Sequence, residues 1–109
     1  MKQKVIVAIT TCPEALAEEL AGVLVGERLA ACVNQVPGVW STYAWQGKVT
    51  RERESLLVIK TTEERYAALE ARVRALHPYD LPEVLALPVQ RGSEPYLDWV
   101  CLNSRPSET

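Results

Sequence analysis

An α+β fold, with two helices covering one face of a four-stranded antiparallel sheet, follows from three features of the sequence. The runs Val5 to Ile9 and Leu56 to Ile59 are apolar at successive positions, as in strands covered on both faces. After each run comes a segment with apolar residues at three- and four-residue steps, the period of an amphipathic helix. Between two β-rich stretches lies the short link Gln46-Gly47, a hairpin signal.

The elements follow in order. A first strand over Lys4 to Thr10 stops at Thr-Thr-Cys-Pro. Pro13 suits a first helical position, and Leu16, Leu20, Val23 and Leu24 make one apolar face with Glu14, Glu18 and Glu19 elsewhere, which predicts a helix over 13–28. Residues 31–45 predict a long strand bent or bulged at Pro37-Gly38, and 48–60 its hairpin partner. Thr61 and Glu64 stand at capping-box spacing, so the second helix is expected to open at Thr61. Tyr66, Leu69, Val73 and Leu76 line its apolar face, and it stops near His77 because Pro78 disfavours helical geometry in the preceding residue. Tyr79 to Pro82 reads as a loop, Glu83 to Val89 as a short strand, Gln90-Arg91-Gly92 as a turn, Glu94 to Leu102 as a last helix and 104–109 as a polar tail. The order βαββαβ plus a terminal helix is ferredoxin-like.

Composition bounds the function. With 109 residues, 48% hydrophobic and 24% charged, the chain is expected to form one domain over 1–109. Twelve basic against 14 acidic residues supply no positive field for a phosphate backbone, which argues against nucleic acid. No run approaches the ~20 apolar residues that cross a bilayer, which argues against a membrane, and the five-residue apolar run near the start is short for a signal peptide. Three cysteines without close metal-type spacing suit free thiols in a cytoplasmic protein. Helices on one side of a sheet whose strands are apolar on both sides leave a face bare, so self-association is expected, with Trp40, Tyr43, Trp45 and Trp99 as candidate contacts. The alternating run Arg51-Glu52-Arg53-Glu54 reads as a solvated strand or as ion pairs between subunits.

Several blocks in order add a resemblance. Glu27-Arg28-Leu29-Ala30-Ala31-Cys32-Val33-Asn34, Val36-Pro37-Gly38 and Tyr43-Ala44-Trp45-Gln46-Gly47-Lys48 are followed by Lys60-Thr61-Thr62, His77-Pro78-Tyr79, Leu81-Pro82-Glu83, Leu87-Pro88-Val89 and Tyr96-Leu97-Asp98-Trp99. Over Val5 to Val100 this pattern resembles the divalent-cation tolerance family CutA. The resemblance implies a homotrimer of ferredoxin-like subunits, similar in architecture to the nitrogen-regulatory signalling trimers. It also implies a link to metal tolerance, copper above all, in bacteria and plants, and to acetylcholinesterase processing in animals. Members proposed to bind copper carry a cysteine at the end of the first strand and a histidine pair before Pro-Tyr. Here Thr10 holds the cysteine position with Cys12 two residues later, and Leu76-His77 replaces the pair.

The candidate metal ligands are therefore His77, Cys12 and Glu83. Neutral imidazole suits Cu(II) and Zn(II), and a thiol at a helix N-terminus is expected to have a lowered pKa. His77 alternatively caps a helix end, and Cys12 is alternatively a buried inert thiol; Cys32 and Cys101 read as core residues. A second reading gathers Lys60, Thr61, Tyr79 and Asp80 in a cleft between subunits that takes a small molecule or anion, with helix capping as the plainer role of Lys60-Thr61-Thr62. A Cys12–His77 enzyme is a weaker third reading, since no nucleophile elbow, phosphate loop or zinc-protease motif is present. The expected protein is thus not an enzyme.

Overall fold

A computed structural model describes residues 3–107. Its elements run β1 (Val5–Cys12), α1 (Glu14–Gly26), β2 (Cys32–Trp45), β3 (Lys48–Thr62), a 3-10 turn (Glu63–Arg65), α2 (Tyr66–Leu76), β4 (Leu85–Pro88) and α3 (Glu94–Asn103). The sheet order is β2-β3-β1-β4, with every neighbouring pair antiparallel, which is the α+β, ferredoxin-like arrangement expected. The tail residues Glu108 and Thr109 lie outside the described residues.

The core lies between the sheet and α1 and α2. Ala8 and Cys12 of β1, Leu57 and Ile59 of β3, Ala17, Leu20 and Leu24 of α1, and Leu69 and Val73 of α2 are fully enclosed. Strand alternation puts the next residues on the other face: Val7, Ile9, Leu56 and Val58 are only half-buried, and the register joins Ile9 to Val58 and Thr11 to Leu56. One face of the sheet thus packs on helices and the opposite one stays largely uncovered within the chain.

The hairpin of β2 and β3 gives the molecule its long axis of 47 Å. Its turn is a two-residue link in which Gln46 (φ 50°) and Gly47 (φ 78°) both take positive φ, the conformation whose twist matches that of the strands. Toward the core, β2 carries an extra residue between Val36 and Val39. At this bulge Gly38 has φ 71° and donates its N–H to Glu14 Oε1 at 2.6 Å. Arg53 Nε approaches the same oxygen at 3.4 Å, so the first turn of α1 anchors the bend.

Three local expectations are corrected. The second helix does not open at Thr61: β3 runs on through Thr62, Thr61 pairs with Ile6, and no side-chain cap forms. The Thr61 hydroxyl instead donates to the carbonyl of Leu29 at 2.7 Å, a tertiary partner that outbids local capping. The tail expected from 104 starts ordered: Ser104 is buried, its hydroxyl donates to Val100 at 2.8 Å, and Arg28 donates to the carbonyls of Leu102 and Arg105. The alternating run of β3 is not uniformly solvated, because Glu54 is only 3% exposed.

Candidate functional site

His77 ends α2 and fixes the chain that follows. Its Nδ1 accepts the N–H of Tyr79 at 3.2 Å, which leaves the proton on Nε2 to donate to the carbonyl of Thr11 at 2.7 Å. Both ring nitrogens are therefore spent within the chain. The imidazole also meets the Tyr79 ring edge-on, with centroids 4.5 Å apart. The loop 78–84 is thus pinned to the end of β1, and Tyr79 is carried to the uncovered side of the sheet, where its hydroxyl donates to Glu54 Oε2 at 2.9 Å.

A cleft of about 700 Å³ opens between this loop and the turn-ward half of the hairpin. Glu52 and Glu54 come from β3, Asp80 and Glu83 from the loop, and Tyr43, Trp45 and Tyr79 supply aromatic walls. Among the described residues no basic side chain lines it. Burial pushes the Tyr79 phenol well above its ordinary pKa, helped by its hydrogen bond to Glu54. Desolvation likewise raises Tyr43, helped by a hydrogen bond to Glu52.

Cys12 sits under the helices in the core. Its thiol is pushed up to about 11, first by burial and then by the charge of Glu54. This corrects the expectation of a lowered pKa: enclosure and a nearby carboxylate outweigh the helix terminus. Since the folded thiol holds its proton to about pH 11 and a free one loses it near 9.0, stability from this group is intact below pH 9 and falls as pH rises toward 11. The loss is expected to approach ~2 kcal/mol, measured by denaturant unfolding across that range, with Cys12→Ser abolishing the slope due to this group.

The other expected residues fall in different places. Lys60 lies toward the opposite end of β3 from Glu54 and contacts the side-chain oxygen of Asn34, while Thr61 is buried against Leu29. Within one chain the cleft brings together Tyr79, Asp80 and Glu83 but neither Lys60 nor Thr61. His77, Cys12 and Glu83 do not form a ligand triad, and among the described residues no three His, Cys, Asp or Glu side chains group to hold a metal. A neutral buried thiol and an imidazole with both nitrogens engaged do not fit copper as a thiolate–imidazole centre. Thr10, at the family's cysteine position, is fully buried. Glu52 and Glu54 were missed as site residues, although the period-two alternation of Arg51 to Glu54 places both carboxylates on one face.

The four aromatic contact candidates divide between two faces and a helix. Tyr43 pairs with Thr50 and Trp45 with Lys48, on the face of Glu52 and Glu54, whereas Trp40 pairs with Arg53 on the opposite face and stacks under Arg51 at 4.3 Å. Trp99 of α3 stacks on Tyr96 with centroids 5.6 Å apart. All four stay at least a third exposed in the single chain.

An open ferredoxin-like sheet with a long hairpin, and a cleft where the hairpin meets the α2–β4 loop, define a PII-like subunit class; a protein of this shape from Nostoc is described as PII-like, superposing with TM-score 0.88 at 35% identity. More narrowly, the chain belongs to the CutA1 divalent ion tolerance protein family, whose profile matches residues 5–103. A divalent-cation tolerance protein CutA from Thermus thermophilus is 50% identical over 91% of this chain and 96% of its own length. The solved structure of CutA1 from Oryza sativa superposes with TM-score 0.93 at 46% identity, covering 97% of this chain and 98% of that one. The mouse protein CutA is 49% identical over 85% of this chain, which spans 53% of the mouse sequence.

Proposed function

We propose that this protein acts in divalent-cation tolerance as a cytoplasmic homotrimer that takes cations at the acidic cleft through oxygen donors. The observation that carries the reading is a cleft with Glu52, Glu54, Asp80 and Glu83 on its walls and no basic side chain among the described residues lining it. Glu83 and Asp80 are exposed at its mouth and are the carboxylates free to meet an ion. His77 acts as a positioning residue, holding the loop that carries them, and Cys12 as part of the core. A single chain offers an incomplete ligand set, so water or a neighbouring subunit completes the coordination. Among first-row divalent ions a given donor set favours Cu(II) most, so copper is held tightest here without thiolate or imidazole.

Assembly is supported by the uncovered sheet face of Val7, Ile9, Leu56 and Val58 and by the exposed Tyr43, Trp45 and Trp99. The three free thiols suit the cytoplasm. No enzymatic step belongs to this reading. Calorimetric titration with Cu(II) and Zn(II) tests it, alongside sedimentation for the mass of three chains. Binding to the parent that weakens about tenfold or more in an Asp80→Asn, Glu83→Gln variant is expected; unchanged binding in that variant rejects the cleft as the cation site.

A further inference from the structure

We propose that Arg28 is a latch that holds α3 as a separately releasable lid over one end of the sheet face that α1 and α2 leave bare. The inference rests neither on the cleft nor on its cation.

The backbone at Arg28 is the starting observation. It follows α1 with φ 59°, the left-handed conformation that side chains resist and that glycine usually takes at such a position. A left-handed non-glycine persists where its surroundings hold it, and here its own side chain is held. The guanidinium crosses to α3, where Nε donates to the carbonyl of Arg105 at 2.6 Å and Nη2 to that of Leu102 at 2.8 Å. The Arg28 carbonyl in turn accepts Arg65 Nε at 3.3 Å, which ties the same residue to the turn before α2. The last turn of a helix leaves carbonyls without intrahelical donors and carries partial negative charge. α3 has no basic residue of its own in that turn, so Arg28, 74 residues before Leu102, supplies the cation.

α3 needs this fastening because it packs apart from the main core. Its buried contacts are a small cluster of Val100 with Val5 and Ala31, distinct from the cluster that joins α1 and α2 to the sheet. Val5 has the strand parity of Val7 and Ile9, so α3 lies against the face opposite the other helices and is itself the cover at that end. Tyr96, Trp99 and Leu102 stay exposed on its outside. A small apolar contact and a helix end fastened by one half-buried side chain mark a segment that opens below the free energy of global unfolding. Opening bares Val5, Ala31 and Cys32, whose sulfur accepts the Tyr96 hydroxyl, and leaves Cys12 enclosed in the main core.

Hydrogen exchange of the whole protein, read by mass spectrometry, tests the latch. In the parent, the amides of α3 are expected to exchange faster than the paired amides of β1 and β3, a reading that needs no variant. Arg28→Ala is expected to speed exchange in α3 about fivefold or more and to leave β1 unchanged. Arg28→Gly separates side chain from backbone, because it relaxes the left-handed position while removing the guanidinium; it is expected to loosen α3 as Arg28→Ala does. Thiol labelling gives the second reading, with Cys32 and Cys101 labelled faster in both variants and Cys12 still protected. Unchanged α3 exchange in both variants, or full α3 protection in Arg28→Gly, makes the guanidinium dispensable and overturns the latch. Loss of β1 and α3 protection together, or Cys12 labelled as fast as Cys32, shows one cooperative unit and overturns the lid.

Discussion

Val58→Asp is expected to abolish the trimer proposed above while leaving each chain folded. Val58 stands on β3 facing away from the helices, paired across to Ile9 and half-buried in one subunit. In an isolated chain the new carboxylate reaches water and costs little. In a trimer closed over this face, three such charges are enclosed among Val7, Ile9 and Leu56, and each unpaired buried charge costs several kcal/mol. The neighbouring Leu57 is the control: it points into the helix-side core and is fully enclosed, so Leu57→Ala is expected to cost about 2–5 kcal/mol of stability with association retained. Sedimentation velocity reads the mass and circular dichroism the fold. A trimer that persists in Val58→Asp would show that copies do not meet through this face.

That contrast rests on a pattern visible in the sequence. Unbroken apolar runs in the two central strands, with helices enough for one side only, already pointed to a second covering. Gln46-Gly47 likewise placed the hairpin turn to the residue, because a two-residue link with a glycine admits few backbone solutions. Thr61 went the other way. Thr-x-x-Glu before an apolar helix satisfies the capping pattern, but its hydroxyl is taken by the carbonyl of Leu29, 32 residues distant in sequence, and no local rule contains that partner.

The candidate site was legible in halves. The loop residues Tyr79, Asp80 and Glu83 stood out because Pro78 and Pro82 interrupt the helix and leave polar side chains without secondary structure to serve. The β3 carboxylates were hidden by an assumption that alternating charges are solvated; the alternation itself separates them by face, sending Arg53 to Glu14 and Glu54 to Tyr79. What local sequence does not carry is the pairing of distant elements. The glutamate at the start of α1 that holds Gly38, and the carbonyl of Thr11 that receives His77, depend on where the sheet edge brings the chain.

His77→Ala then separates a positioning role from a ligand role. The wild-type ring satisfies two backbone groups at a site only 7% exposed, the carbonyl of Thr11 and the N–H of Tyr79. Alanine leaves both without partners; because both hydrogen bonds are only part-buried, each group costs toward the lower end of about 1–3 kcal/mol, so a loss of about 2–4 kcal/mol is expected in denaturant unfolding. The loop that carries Tyr79 is released with it, and the Tyr79–Glu54 hydrogen bond weakens. A ligand role makes a different set of demands: metal must displace Tyr79 from Nδ1 or Thr11 from Nε2, and the bound ion must carry nitrogen in its first coordination sphere. Electron paramagnetic resonance of the Cu(II)-loaded parent resolves the two. Oxygen-only coordination, together with the stability loss in metal-free His77→Ala, is the expected pair. Nitrogen superhyperfine splitting that disappears in His77→Ala, with metal-free stability unchanged, would make His77 a ligand and require the loop to open before metal binds. The geometry favours the first outcome because each ring nitrogen already has a partner at hydrogen-bonding distance, and exchanging either for a metal bond leaves a buried backbone group unpaired.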